Sequence, residues 1–111
     1  MILFNTTYCI DKPCADAFIG YLRDVYIPAA EELGFYSPLI TEMRGPGEPN
    51  ALTGAETRTF ALQLRVPSED VFNKFQTSVL PGLYSTLGKQ FGSSVALFES
   101  ALDVIHDPSK K

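Results

Sequence analysis

The sequence is poor in the residues from which most catalytic centres are made, with one histidine, His106, and two cysteines, Cys9 and Cys14. The cysteine spacing fits neither a zinc ribbon nor a redox Cys-x-x-Cys pair, and two thiols make no disulfide framework. Both are expected to be reduced packing residues, which points to a cytoplasmic address. A solitary histidine near the chain end reads as an exposed terminal residue rather than a haem ligand or general base. Without a cysteine cluster beside it, no transition-metal site is expected, and no cofactor is implied. Basic residues are also scarce: nine Lys and Arg are dispersed among thirteen Asp and Glu, for a net charge of −4. With no basic stripe to neutralise phosphates, neither nucleic acid nor an anionic membrane is expected as a partner. No apolar run reaches transmembrane length, and Met1-Ile2-Leu3-Phe4 lacks the pattern of a secretory signal. There is no Gly-x-Ser-x-Gly elbow, and Gly45-Pro46-Gly47 sits with prolines and Glu48 rather than at a strand-to-helix turn. Neither serine hydrolase nor nucleotide-loop chemistry is therefore expected.

What the chain does have is a run of periodic segments in the order strand, helix, strand, strand, helix, strand. Residues 2–10 read as a strand whose even positions, Ile2, Phe4, Tyr8 and Ile10, are the more apolar set. Asp11 is the expected N-cap of a helix with Pro13 in its first turn. Apolar residues then recur at Ala15, Phe18, Ile19, Leu22, Val25 and Tyr26. Pro28 should kink or interrupt that helix, and Gly34 should end it. Residues 39–44 predict a second strand, followed by a long mobile hairpin loop over 45–56. Residues 57–66 alternate cleanly, with Phe60, Leu62, Leu64 and Val66 on one face and Ala61, Gln63 and Arg65 on the other.

Ser68, followed by Glu69 and Asp70, predicts the start of a second helix, with Pro81-Gly82 bending it into two pieces before Gly92 stops it. Residues 95–105 form the expected last strand. Its two sides are Ala96, Phe98, Leu102 and Val104 against Val95, Leu97, Glu99, Ala101 and Asp103. One domain over 1–106 and a frayed tail over 107–111 complete the reading.

This order predicts an α+β, ferredoxin-like βαββαβ sandwich: a four-stranded antiparallel sheet with both helices on one face, because right-handed crossovers put them there. The sheet's second face, expected to hold Leu3, Asn5, Thr7, Ala61, Gln63, Arg65, Val95, Leu97 and Glu99, has no third helix to cover it. It is too apolar to be simply solvated, so a homodimer packing sheet against sheet is expected. Asn5, Thr7, Gln63 and Glu99 would then need partners across the dimer, from water or from a small, partly apolar ligand.

Several pieces taken in order resemble the uncharacterised 4286 domain-of-unknown-function family. They are Asn5-Thr6-Thr7, Tyr26-Ile27-Pro28, Gly34-Phe35, Thr59-Phe60-Ala61-Leu62-Gln63, Leu80-Pro81-Gly82-Leu83, and Phe91-Gly92 leading into Ala96-Leu97-Phe98. The resemblance spans nearly the whole chain and implies the dimeric α+β barrel fold, but it brings no established activity. In that family a His commonly stands where Tyr26 is, and Arg where Tyr84 and Glu99 are, so any chemistry resting on those positions would be altered here.

Glu99 is the strongest general-base candidate, since a carboxylate confined at an interface would have a raised pKa; the plainer reading pairs it with Arg65. Asn5 and Gln63 would orient a ligand carbonyl or dioxygen, or else satisfy each other. Tyr8, Tyr21, Tyr26, Tyr36 and Tyr84 offer phenolic donors, mostly as core or interface aromatics. The sequence thus favours a small-molecule-binding or accessory interaction module, with Asn5, Thr7, Gln63, Arg65, Glu99, Tyr26 and Tyr84 as candidate ligand contacts. The alternative is a cofactor-independent monooxygenase or isomerase.

Overall fold

The computed structural model of the chain describes residues 1–45 and 47–107. Four strands, β1 (Ile2–Asp11), β2 (Tyr36–Glu42), β3 (Thr57–Val66) and β4 (Val95–Asp103), form one sheet in the order β2-β3-β1-β4. All neighbours are antiparallel. Two helices cover one face. Helix α1 spans residues 15–32 and α2 spans residues 69–91. No described helix is long and apolar enough to cross a membrane.

The alternation in β1 and β3 fixes the core. Phe4, Tyr8 and Ile10 align with Leu64, Phe60 and Arg58 in register, and Phe4, Tyr8, Ile10, Phe60, Leu62, Leu64 and Val66 are all buried beneath the helices. The helices answer with Phe18, Leu22, Tyr26 and Ala30 from α1 and with Phe72, Phe75, Leu83, Leu87 and Phe91 from α2. Much of the contact is edge-to-face aromatic packing, such as Phe4 on Phe72 at 5.2 Å and Tyr8 on Phe18 at 4.8 Å.

Each helix carries a proline in its interior and neither is broken by it. A π turn over Leu22–Tyr26 leads to Pro28, and a second over Phe75–Val79 leads to Pro81. In a regular α-helix each proline ring would collide with the carbonyl four residues earlier. The wider turn avoids this: Ile27 N–H bonds back to Leu22 O, and Leu80 N–H to Phe75 O. One extra residue per turn replaces the expected interruption, and it brings Tyr26 inward at the end of the first π turn.

Helix ends follow the sequence. Ser68 caps α2, accepting from Val71 N at 3.2 Å. At the end of α1, Phe35 N donates to Ala30 O and Gly34 N to Glu31 O, with Gly34 at φ +98°. That pairing is a Schellman motif, which needs a left-handed residue at Gly34, and the buried Phe35 seals it.

Asp11 does not cap α1; its side chain makes no cap bond, and residues 12–14 form a 3₁₀ turn instead. Its carboxylate accepts from Asn50 Nδ2 at 2.8 Å and from Thr53 Oγ1 at 2.9 Å. Asn50 Nδ2 also donates to Ser93 O, and Lys12 N to Glu56 O. The β2–β3 loop, expected to be mobile, is thus tied to the end of β1 and the start of β4. The Asn50 hydrogen bond is the main reason the Asp11 carboxyl sits below its ordinary value. Gly47 presses so closely on Thr57 that an added Cβ would meet its Oγ1.

Strand β2 begins earlier than expected, at Tyr36, and bulges between Tyr36 and Leu39, where Ser37 takes φ +54° ahead of Pro38. Strand β4 ends at Asp103, and its sidedness is opposite to the sequence expectation. Register pairs Tyr8 with Leu97 and Thr6 with Glu99, so Val95, Leu97 and Glu99 share the helix side with the core of β1. Ala96, Phe98, Ser100 and Leu102 lie instead on the open face. The reason is that β4 is an edge strand: Glu99, Ala101 and Asp103 remain exposed on the helix side, so charge is tolerated there. Of the tail expected to be frayed, residues 108–111 lie outside the described residues, while Asp107 accepts from Arg65 Nη1 at 2.8 Å.

Candidate functional site

The predicted ligand residues divide between the two faces of the sheet. Asn5, Thr7, Gln63 and Arg65 stand on the open face, where Asn5 pairs with Gln63 and with Ser100. A shallow hollow of about 420 Å³ is lined by Leu3, Ser37, Pro38, Leu39, Gln63 and Arg65. Another of about 260 Å³ takes in Thr7, Thr41 and Met43. Glu99 is not with them. Arg65 accordingly does not pair with Glu99; it donates to Asp107 and to Met1 Sδ at 3.0 Å. Asn5 and Gln63 are likewise excluded from acting with Glu99, because a sheet separates them.

On the helix side the structure gathers a different polar group. Thr6 projects from β1 directly opposite Glu99 of β4, Tyr8 follows two residues along on the same face, and Tyr26 arrives from the π turn of α1. Thr6, Tyr8 and Tyr26 are all within 2% of full burial. The three hydroxyls lie within reach of one another, and none has a hydrogen-bond partner outside the group among the described residues. Tyr84, on α2, also buries its hydroxyl without a partner. By contrast, Tyr21 donates to Leu83 O at 2.7 Å, the ordinary fate of a core tyrosine.

Burial is the main cause that pushes the pKa of both Tyr8 and Tyr26 up, with Glu99 adding to it, so both phenols stay neutral donors at physiological pH. Burial also raises the Glu99 carboxyl above its ordinary 4.5. The sign follows: a carboxyl raised by folding contributes stability below the unfolded value and loses it as pH rises through the folded one. Glu99→Gln is therefore expected to raise the melting temperature at about pH 7 and to leave it unchanged below about pH 4, as read by circular dichroism. A gain that persists at low pH would contradict a strained carboxylate.

Thr6 is the member of this cluster that sequence reasoning missed, while Tyr8 was named only as one of five phenolic donors. The signal was present: Thr6 occupies a core-side position of β1, between Phe4 and Tyr8, where a polar side chain must find a partner or remain costly.

Comparison with solved structures places this fold. HapK from Hahella chejuensis matches with a TM-score of 0.61 at 13% identity, over 96% of this chain and 95% of that one. An EthD-family protein from Bacillus halodurans matches with a TM-score of 0.55 at 12% identity, over 90% and 97%. A dimeric ferredoxin-like protein from an uncultured marine organism gives 0.52 at 9% identity, over 96% and 97%. At these identities the likeness is one of fold: the chain is a ferredoxin-like α+β protein, the subunit type of dimeric α+β barrels. No curated protein matches the chain. It belongs to the DUF4286 family, a domain of unknown function, whose profile covers residues 1–105.

Proposed function

We propose that the chain is a homodimeric module that binds a small, partly apolar molecule at the Thr6, Tyr8, Tyr26 and Glu99 cluster. Dimerisation follows from the open face. Leu39, Phe98 and Leu102 are 54%, 64% and 44% exposed there, flanking Leu3 and Ala61 on the central strands. Four strands of this length present about 600 Å² of sheet, and two copies would bury about 1,200 Å², enough for a specific interface. A two-fold partner would also give a counterpart to Asn5 Oδ1, which is buried without a hydrogen bond. The free thiols of Cys9 and Cys14 fit a reducing, cytoplasmic setting.

The binding reading is carried by one observation, a set of buried hydroxyls that have no partner outside their own cluster. Each unsatisfied buried group costs about 1–3 kcal/mol, which a fold retains where a bound molecule recovers it. Phenol, a ring with one hydroxyl, is a suitable first probe. Added to the ¹⁵N-labelled protein at millimolar concentration, it is expected to shift the Thr6, Tyr8, Tyr26 and Glu99 amides, and Thr6→Val with Tyr26→Phe to abolish the shifts. Unmoved site amides in a folded dimer would refute the reading.

A second reading, proton transfer on a carbon acid as in a cofactor-independent monooxygenase or isomerase, is favoured by the raised Glu99 carboxyl beside neutral phenols. In it Glu99 takes the proton and the phenols receive the enolate oxygen. Asn5 and Gln63 have no part.

A further inference from the structure

We propose that the outer edge of β4 is a docking site for an extended, basic segment of another protein, which adds to the sheet as a further antiparallel strand. A sheet has two edges, and this one blunts only one of them. Strand β2 carries Pro38, a positive φ at Ser37 and a register shift between Tyr36 and Leu39, all of which spoil a pairing edge. Strand β4 has none of these: from Val95 to Asp103 it keeps unbroken register with β1. Its free groups can be named. Val104 N donates to Met1 O, so the hydrogen-bonded pairs with β1 fall on the even residues Ala96, Phe98, Ser100 and Leu102. Lys12 N donating to Glu56 O gives the same parity from the far side of β1, turning its even residues toward β3 and its odd ones toward β4. The backbone N–H and C=O groups of Val95, Leu97, Glu99, Ala101 and Asp103 therefore point away from the sheet. Among the described residues no backbone hydrogen bond from outside the sheet reaches them.

Charge selects the occupant. Glu99 and Asp103 flank Ala101 on the helix side of this edge, all three are exposed, and neither acid has an ion-pair partner among the described residues. Were β4 to pair with a second β4, the registers of greatest overlap would set acids opposite or diagonal to acids, which disfavours self-association along this edge. A strand with Lys or Arg at alternate positions meets no such repulsion, because its basic side chains fall beside Glu99 and Asp103. Its intervening side chains fall on the open-face side beside Phe98 and Leu102, both exposed, where apolar residues fit. The docking strand is thus one that alternates basic with apolar residues, held by main-chain hydrogen bonds and chosen by the side chains on its two faces. It lies in the plane of the sheet, beside the face assigned to the second copy rather than over it.

The probe is a short peptide alternating Lys and Val, capped at both ends and titrated into the ¹⁵N-labelled full chain, with amide hydrogen exchange as the readout. In the protein alone, the Leu97, Glu99 and Ala101 amides are expected to exchange about tenfold or more faster than those of Phe98, Ser100 and Leu102. Slow exchange at the odd residues before any peptide is added would mean that a second copy already occupies the edge, and would overturn the proposal. The peptide is expected to slow the odd amides about fivefold or more at saturation and to leave the even ones unchanged. Methylating the backbone nitrogens of its lysines, which face β4, should abolish binding, whereas methylating those of its valines should not. A Glu and Val peptide should bind about tenfold more weakly, and Glu99→Lys combined with Asp103→Lys, both at exposed positions, should reverse that order. Binding that leaves the odd amides fast, or equal binding of the two peptides, would overturn the assignment, as would silence from the Lys and Val peptide at millimolar concentration.

Discussion

Phe98→Asp combined with Leu102→Asp is expected to halve the particle mass in sedimentation velocity, from twice 12.2 kDa to 12.2 kDa, with the far-ultraviolet circular dichroism unchanged. Both side chains stand on the open face of an edge strand, 64% and 44% exposed, and neither touches the core beneath the helices. Two carboxylates there cost the subunit little but would be buried without partners in a sheet-to-sheet interface, which costs several kcal/mol per charge. A unit with unaltered mass and secondary structure would show that this face is not the one covered. Leu97 is the wrong position for such a test. It pairs with Tyr8 on the helix side and packs against the core, so Leu97→Asp would report on folding instead.

Phe75→Ala is expected to remove about 3–5 kcal/mol, a large share of the roughly 5–15 kcal/mol that holds a domain of this size together. The ring is fully buried and touches Phe4, Tyr26 and Phe35, at 6.1, 6.0 and 4.7 Å between centroids. It thus joins the sheet, both π turns and the seal behind α1, and no neighbour is free to fill the space it would leave. Urea denaturation should give the loss directly, and thermal unfolding a fall of about 15 °C or more. Leu52→Ala, at an 81% exposed loop position, is the matched control and should change stability by less than about 0.5 kcal/mol. Equal effects at the two positions would mean that the core is not arranged as described.

The architecture was readable where side-chain patterns were unambiguous. In β1 and β3 one parity is strongly apolar and the other is not, so strand, face and core followed from alternation alone. Ser68 and Gly34 marked helix ends because capping and left-handed backbone demand those residue types. Strand β4 resisted the same treatment: Val95, Leu97 and Ala101 compete with Ala96, Phe98 and Leu102, and only pairing with β1 decides which side meets the helices. That single inversion moved Glu99 away from Asn5, Gln63 and Arg65 and set it against Thr6, Tyr8 and Tyr26. The π turns were not legible either, because proline in a helix signals a disruption without stating how it is absorbed. Nor was the Asp11 clasp on the β2–β3 loop, since an aspartate before a helix has the same appearance as an N-cap.

The corrected face strengthens the case for association. With Phe98 and Leu102 on the open side, the rows Leu39-Gln63-Asn5-Ser100 and Thr41-Ala61-Thr7-Phe98 run across all four strands as a mixed surface with no helix above it. Glu99 and Asp103, the acids expected on that side of the last strand, are not there. The helix-side cluster of Thr6, Tyr8 and Tyr26 lies on the other side of the sheet from that surface.

The face-to-face pairing is tested most directly by isotope-filtered nuclear Overhauser spectroscopy on a dimer mixed from labelled and unlabelled subunits. The account predicts intermolecular contacts from the Phe98 and Leu102 side chains to Leu3, Leu39 or Ala61 of the other copy. Intermolecular contacts confined to the helices, or none at all at millimolar concentration, would contradict it.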